Sequence, residues 1–160
     1  MVITHPSAEK VIEVTSKNPY TPFLKGCLCF GQEGNEYNLA GKCNYQYNLE
    51  VNHIINVDAF FIHHDISESI VLDVIKMVRE DLELDLDNDE IAALLDNSES
   101  IRNFEFSGYN DDGEADWAIQ QYQGILAHKL GYDCAKSTDE QGTVYIAYCV
   151  GRPLLEVSCA

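Results

Sequence analysis

The chain has 160 residues, 46% hydrophobic and 23% charged, a composition that suits one packed domain over 1–160. Its formal net charge of −17 repels phosphate backbones and argues against direct binding to DNA or RNA. The acids read first as a solubility device and second as an imitation of nucleic acid that could occupy a basic partner surface.

The first ten residues lack the basic start and apolar run of a secretory signal. Apolar runs such as Asp58-Ala59-Phe60-Phe61-Ile62 fall far short of the length that crosses a bilayer, so no membrane is expected. Cys27, Cys29, Cys43, Cys134, Cys149 and Cys159 form no C-x-x-C pair and no disulfide framework. They are expected as free thiols of a cytoplasmic protein, packing as small hydrophobes.

In chain order, a short strand is expected at 2–5, then a polar segment ending at Pro22. A short apolar run between glycines at 26–31 suits a buried strand. Over 43–51, Tyr45, Tyr47, Leu49 and Val51 alternate with polar residues, the pattern of a half-buried strand. Another strand is expected at 59–63.

Helices follow. Ser67 or Ser69 can cap one that carries Ile70, Val71, Val74, Met77, Val78 and Leu82 at helical spacing. A shorter helix is expected at about 88–95. A third starts after Gly113, carries Trp117, Tyr122, Ile125 and Leu126, and stops near Gly131. Closing strands fit 143–150 and 154–159. Strands at both ends with helices gathered between them give an α+β domain.

Several motifs fail on inspection. Gly34 and Gly41-Lys42 are spaced too widely for a phosphate loop, and Cys43 replaces the required Ser or Thr. Asp85, Asp87 and Asp89 resemble the start of a calcium loop, but Glu90 holds the glycine position and Asp96 that of the bidentate Glu. The acids of 80–99 therefore read as a solvated helix face. His63 and His64, adjacent at the end of the expected strand, point to opposite faces, and Cys27 with Cys29 lacks further ligands, so no metal is expected.

Three features remain: His5 with Pro6-Ser7, Leu28-Cys29-Phe30-Gly31 followed by Tyr37, and Asp139-Glu140-Gln141-Gly142-Thr143 before a late strand. With Phe60-Phe61-Ile62-His63-His64 and Leu130-Gly131-Tyr132, their order along nearly the whole chain resembles the ADP-ribosyltransferase fold. Within it, the chain resembles the ADP-ribosylating anti-CRISPR family that disables type I-F systems.

That resemblance implies a split β-sandwich of two small antiparallel sheets with flanking helices, gripping NAD as substrate in the cleft between them. His5 would bond a ribose of NAD, Pro6 and Ser7 would border the carboxamide, and Tyr37 or Phe30 would stack on the nicotinamide. Asp139, with Glu140 as second choice, would be the catalytic carboxylate. The activity implied is mono-ADP-ribosylation of a CRISPR effector, at the large subunit of the type I-F Cascade, in the cytoplasm of a host bacterial cell. A phage or other mobile element would be the carrier, and the modification would block DNA binding. A host-directed toxin would share the chemistry. The rival class is a non-enzymatic acidic inhibitor that mimics DNA.

Overall fold

In a computed structural model, residues 1–32, 43–139 and 142–159 are described, Asp139 by its backbone. Tyr37 and Glu140 lie outside the described residues. Seven strands occur among them: β1 (Val2–Ser7), β2 (Cys27–Gln32), β3 (Tyr45–Glu50), β4 (Ile54–Asn56), β5 (Cys134–Asp139), β6 (Gly142–Tyr148) and β7 (Leu155–Val157). The helices are α1 (Phe60–His63), α2 (Ser69–Asp81), α3 (Asn88–Leu95) and α4 (Asp112–Lys129). The mixed α+β class stands, with the helices between β4 and β5 in the chain.

The strands form one hydrogen-bonded order, β4-β5-β6-β2-β1-β3-β7. Within it β4 runs parallel to β5, and the other neighbours are antiparallel. Alternation along β5 and β6 sorts side chains to two faces. Ala135, Val144 and Ile146 join the larger core beneath the helices, while Cys134, Tyr145 and Ala147 join a smaller one with Ile3, Phe30 and Leu49.

Helix α4 is buried on more than one side and carries Gln121, Gln123 and Gly124 into the interior. Gly124 lets α4 approach the sheet: a Cβ there would stand 2.6 Å from Cys27 Sγ and 2.8 Å from Ile146 Cγ2. Helix α3 opens with a capping box, Asp87 accepting from the Glu90 amide while the Glu90 carboxylate accepts from the Asp87 amide. Much of the acid run therefore has local work. Asp81 accepts from Tyr109, Asp96 from Ser98, Glu99 from Asn103 and Glu83 from Ser107.

Three expectations are corrected. Residues 60–63 are a helix following a 3-10 turn at Val57–Ala59, so His63 closes α1 and His64 caps it. Strands β4 and β5 were not foreseen. Cys43 and Cys159 form a disulfide that ties the start of β3's segment to the chain beyond β7. The free-thiol reading holds for Cys27, Cys134 and Cys149. Burial raises the Cys27 thiol well above its usual range, Cys134 to about 12 and Cys149 to about 11, so these three are packing groups. No described helix is long and apolar enough to cross a membrane.

Candidate functional site

Strand β2 divides its pairing between two neighbours. Its first part, Cys27 to Phe30, pairs with β6 from Tyr148 to Tyr145. Its last part leaves β6 for β1, with Gly31 opposite Thr4 and Gln32 opposite Ile3. Beyond Thr4, β1 stays with β3 through Ser7 opposite Tyr45 and no longer pairs with β2. A wedge therefore opens between His5–Ser7 on one side and Cys27–Phe30 on the other.

The sequence explains why the ladder stops there. The Val51 amide donates to Met1 O across the β1–β3 pair, so odd residues of β1 turn their polar groups toward β3 and even residues toward β2. Thr4 can serve β2. The next even residue is Pro6, which has no N–H to give. Pro6 itself is buried, and its structural effect is to end the pairing.

Side chains then replace the lost ladder on β2. The Gln121 Oε1 of α4 accepts from the amides of Lys25 and Cys27, each at 2.9 Å, and its Nε2 donates to Cys27 O at 3.2 Å. His5 Nδ1 lies 2.7 Å from Cys29 O. A carbonyl only accepts, so Nδ1 carries the proton of the neutral ring, and Nε2 presents a lone pair. Burial lowers the His5 pKa below its ordinary value, more strongly than the bond to Cys29 raises it, which keeps the ring neutral at pH 7. Chemically, the half-buried His5 offers an acceptor suited to a sugar hydroxyl.

The other expected residues are distributed as follows. Ser7 ends β1, its hydroxyl donating to Glu9 O at 2.6 Å. Phe30 is fully buried, its ring centroid 5.7 Å from that of His5. That burial leaves no open ring face for a nicotinamide, so Phe30 backs His5 rather than offering a stacking platform. Asp139 pairs with Gly142 at the end of the β5–β6 hairpin, and β2 and β6 stand between its strand and β1. The structure thus brings His5 and Phe30 together, with Pro6 and Ser7 following on the same strand edge. Two shallow clefts of about 450 and 430 Å³ lie along the β3–β7 edge instead, one bordered by Tyr45 and Cys159, the other by Asn48 and Leu154. Gln121 was not foreseen; a glutamine on a helix, three positions before a glycine, was its only signal.

A family model described as "Anti-CRISPR Type I-F ADP-ribosyltransferase AcrIF11" matches residues 41–152. The match includes Asp139 and Glu140 and leaves out β1 and β2. A solved structure described as "Crystal structure of an anti-CRISPR protein" is similar over 98% of this chain and 95% of its own, at 19% identity and a TM-score of 0.58. That likeness supports the fold. No curated protein matches the chain.

Proposed function

Because the chain belongs to the anti-CRISPR type I-F ADP-ribosyltransferase family, we propose that it cleaves NAD+ and transfers a single ADP-ribose to a protein of the type I-F CRISPR machinery. The observation that carries this reading is the family match, joined to a wedge in the sheet where a neutral His5 offers its Nε2.

In the proposed reaction the bond between nicotinamide and ribose breaks, and nicotinamide leaves as a neutral molecule with the bonding pair. Positive charge builds on the sugar, as in glycoside cleavage. A carboxylate at Asp139, or at Glu140, stabilises that charge and orients the acceptor, whose nucleophilic atom bonds the anomeric carbon and loses its proton. His5 fixes the ribose by accepting from a hydroxyl, while Pro6 and Ser7 border the nicotinamide. Since Phe30 is sealed in the core, Tyr37 is the better stacking partner. Water exclusion strengthens the carboxylate's effect.

The family's type I-F anti-CRISPR description supports a CRISPR complex as the target, and the large subunit of the type I-F surveillance complex is the acceptor proposed. Modification would place a bulky anionic group on a DNA-binding surface. The setting would be the cytoplasm of the infected cell.

The decisive experiment mixes the chain, labelled NAD+ and the purified complex, then weighs each subunit. A gain of one ADP-ribose on one subunit, abolished by Asp139→Asn and Glu140→Gln together, is expected. Inhibition of DNA binding that needs no NAD+ and survives both changes would replace the enzyme with an acidic mimic. Against the mimic, Asp81, Glu83, Asp87, Glu90, Asp96 and Glu99 are committed to bonds inside the chain.

A further inference from the structure

Away from the wedge, aromatic side chains gather at the surface where the segment before β2 meets the first turns of α4. Phe23 and Trp117 pack with ring centroids 4.9 Å apart at a tilt of 51°. Trp117 is 44% exposed, Leu24 is 37% exposed, and Tyr20, on the same segment as Phe23, is 94% exposed. Exposed tryptophan and tyrosine are costly to leave in water, and both are enriched where interfaces carry most of their binding energy.

The position of these rings is fixed from below. Lys25 Nζ lies 3.0 Å from Asp81 Oδ2 and within 6 Å of the Tyr109 and Tyr122 ring centroids, at 5.8 and 5.5 Å. Gln121 holds the Lys25 amide. The segment bearing Tyr20, Phe23 and Leu24 is thus clamped to α2 and α4 at its C-terminal end. The lysine of this clamp, Lys25, is paired with Asp81. Asp111, Asp112 and Glu114 lie at the N-terminus of the same helix as Trp117, with Glu114 three residues before it and so on the same helix face.

Charge selects the occupant. A second copy of the chain would bring another −17 to the same place, and an anionic membrane would be repelled in the same way. A basic protein surface is attracted, and an arginine can stack on Trp117 while pairing with the acids beside it. We propose that the Tyr20–Phe23–Trp117 patch, with Asp111, Asp112 and Glu114 at the start of α4, is the docking surface for an arginine- and lysine-rich face of the target protein, apart from the wedge where NAD+ is handled. This rests on the reading that the chain modifies a protein.

The test uses Tyr20→Ala and Trp117→Ala in the full chain, with the purified type I-F surveillance complex as probe. Binding is measured by titration at two salt concentrations, and NAD+ hydrolysis is measured without the complex. Each variant should weaken binding by about tenfold or more, and added salt should weaken wild-type binding too. NAD+ hydrolysis should stay at the wild-type rate in both variants. Tyr20→Ala guards against a folding defect, because its side chain is almost wholly in solvent. Unchanged affinity of Tyr20→Ala and a folded Trp117→Ala would overturn the proposal, as would wild-type dimers that Trp117→Ala dissolves. Wild-type chain that binds the complex through this patch yet transfers no ADP-ribose would retain the surface and remove the transferase reading.

Discussion

His5 holds Cys29 O and is proposed to bind a ribose, and two substitutions divide these duties. Replacing His5 with Asn places an amide N–H close to where Nδ1 now donates to Cys29 O at 2.7 Å, but supplies nothing at the position of Nε2. Replacing it with Ala removes both. Cys29 O sits where β1 and β2 have already parted, so in His5→Ala it loses its imidazole donor. An unsatisfied polar group costs about 1–3 kcal/mol, and the half-buried position allows some hydration, which favours about 1–2 kcal/mol. For a domain of this size that lowers Tm by about 2–8 °C. His5→Asn should stay within about 1 kcal/mol of wild type. Both should lose about tenfold in apparent NAD+ affinity, the effect of one hydrogen bond to a sugar hydroxyl at about 1.4 kcal/mol.

The acid limb gives a second readout of the same residue. Because burial lowers the His5 pKa, the unfolded chain binds a proton near pH 6.5 that the folded chain refuses. The neutral ring's contribution is present above pH 6.5 and is lost as pH falls toward the native value, and His5→Asn should flatten that part of the profile. Urea titration across pH and calorimetric NAD+ titration suffice. Undiminished NAD+ affinity in His5→Asn would remove the ribose role, and an unchanged urea midpoint in His5→Ala would remove the strand role.

Three further outcomes are expected. Gln121→Leu strands the amide and carbonyl of buried Cys27 and should cost about 2–4 kcal/mol, read as a lower urea midpoint at constant slope. Gly124→Ala gains about 1 kcal/mol of helix propensity, but overpacking against Cys27 and Ile146 costs about 1–3, so a net loss is expected. Cys27→Ala in the same chain should recover part of it, measured as a coupling in a double-mutant cycle. Cys43→Ser opens a bridge across a sequence separation of 116 and should lower stability by about 2–4 kcal/mol in oxidising buffer. That difference should vanish when both proteins are unfolded in reductant.

Local pattern revealed what local pattern controls. The alternation at Tyr45, Tyr47, Leu49 and Val51 gave β3, and the 3.6-residue spacing from Ile70 to Leu82 gave α2. The capping box of α3 and the stop of α4 at Gly131 are likewise short-range chemistry. Strand β5 escaped because Cys134-Ala135-Lys136-Ser137-Thr138-Asp139 shows little apolar periodicity. Its strand character comes from β6 on one side and from β4, some eighty residues earlier, on the other. The apolar run Phe60-Phe61-Ile62 fits strand or helix equally, and tertiary packing chose helix. At the site, His5 and Pro6 were visible as residue types. Their consequence was not, since a missing N–H opens a wedge only when the neighbouring strand is known.

The distribution of charge then bears on how so acidic a chain would work on an anionic dinucleotide, as proposed. Segment 80–116 holds fourteen acids and a single arginine, whereas 1–32, which contains β1 and β2, holds two glutamates and three lysines. At physiological salt, fields fade over about 8 Å, so a ligand at the wedge responds mainly to its own surroundings. Those surroundings include a neutral histidine and strand edges where the β1–β2 ladder has ended, which offer hydrogen bonds. The acids of 80–116 run from the end of α2 through α3 and the connections on either side of it to the start of α4, the helix that carries Trp117. In the proposed reading, separating the two regions would let one molecule tolerate a phosphate-bearing substrate while attracting a basic protein. A uniform spread of the same charge would weaken both interactions.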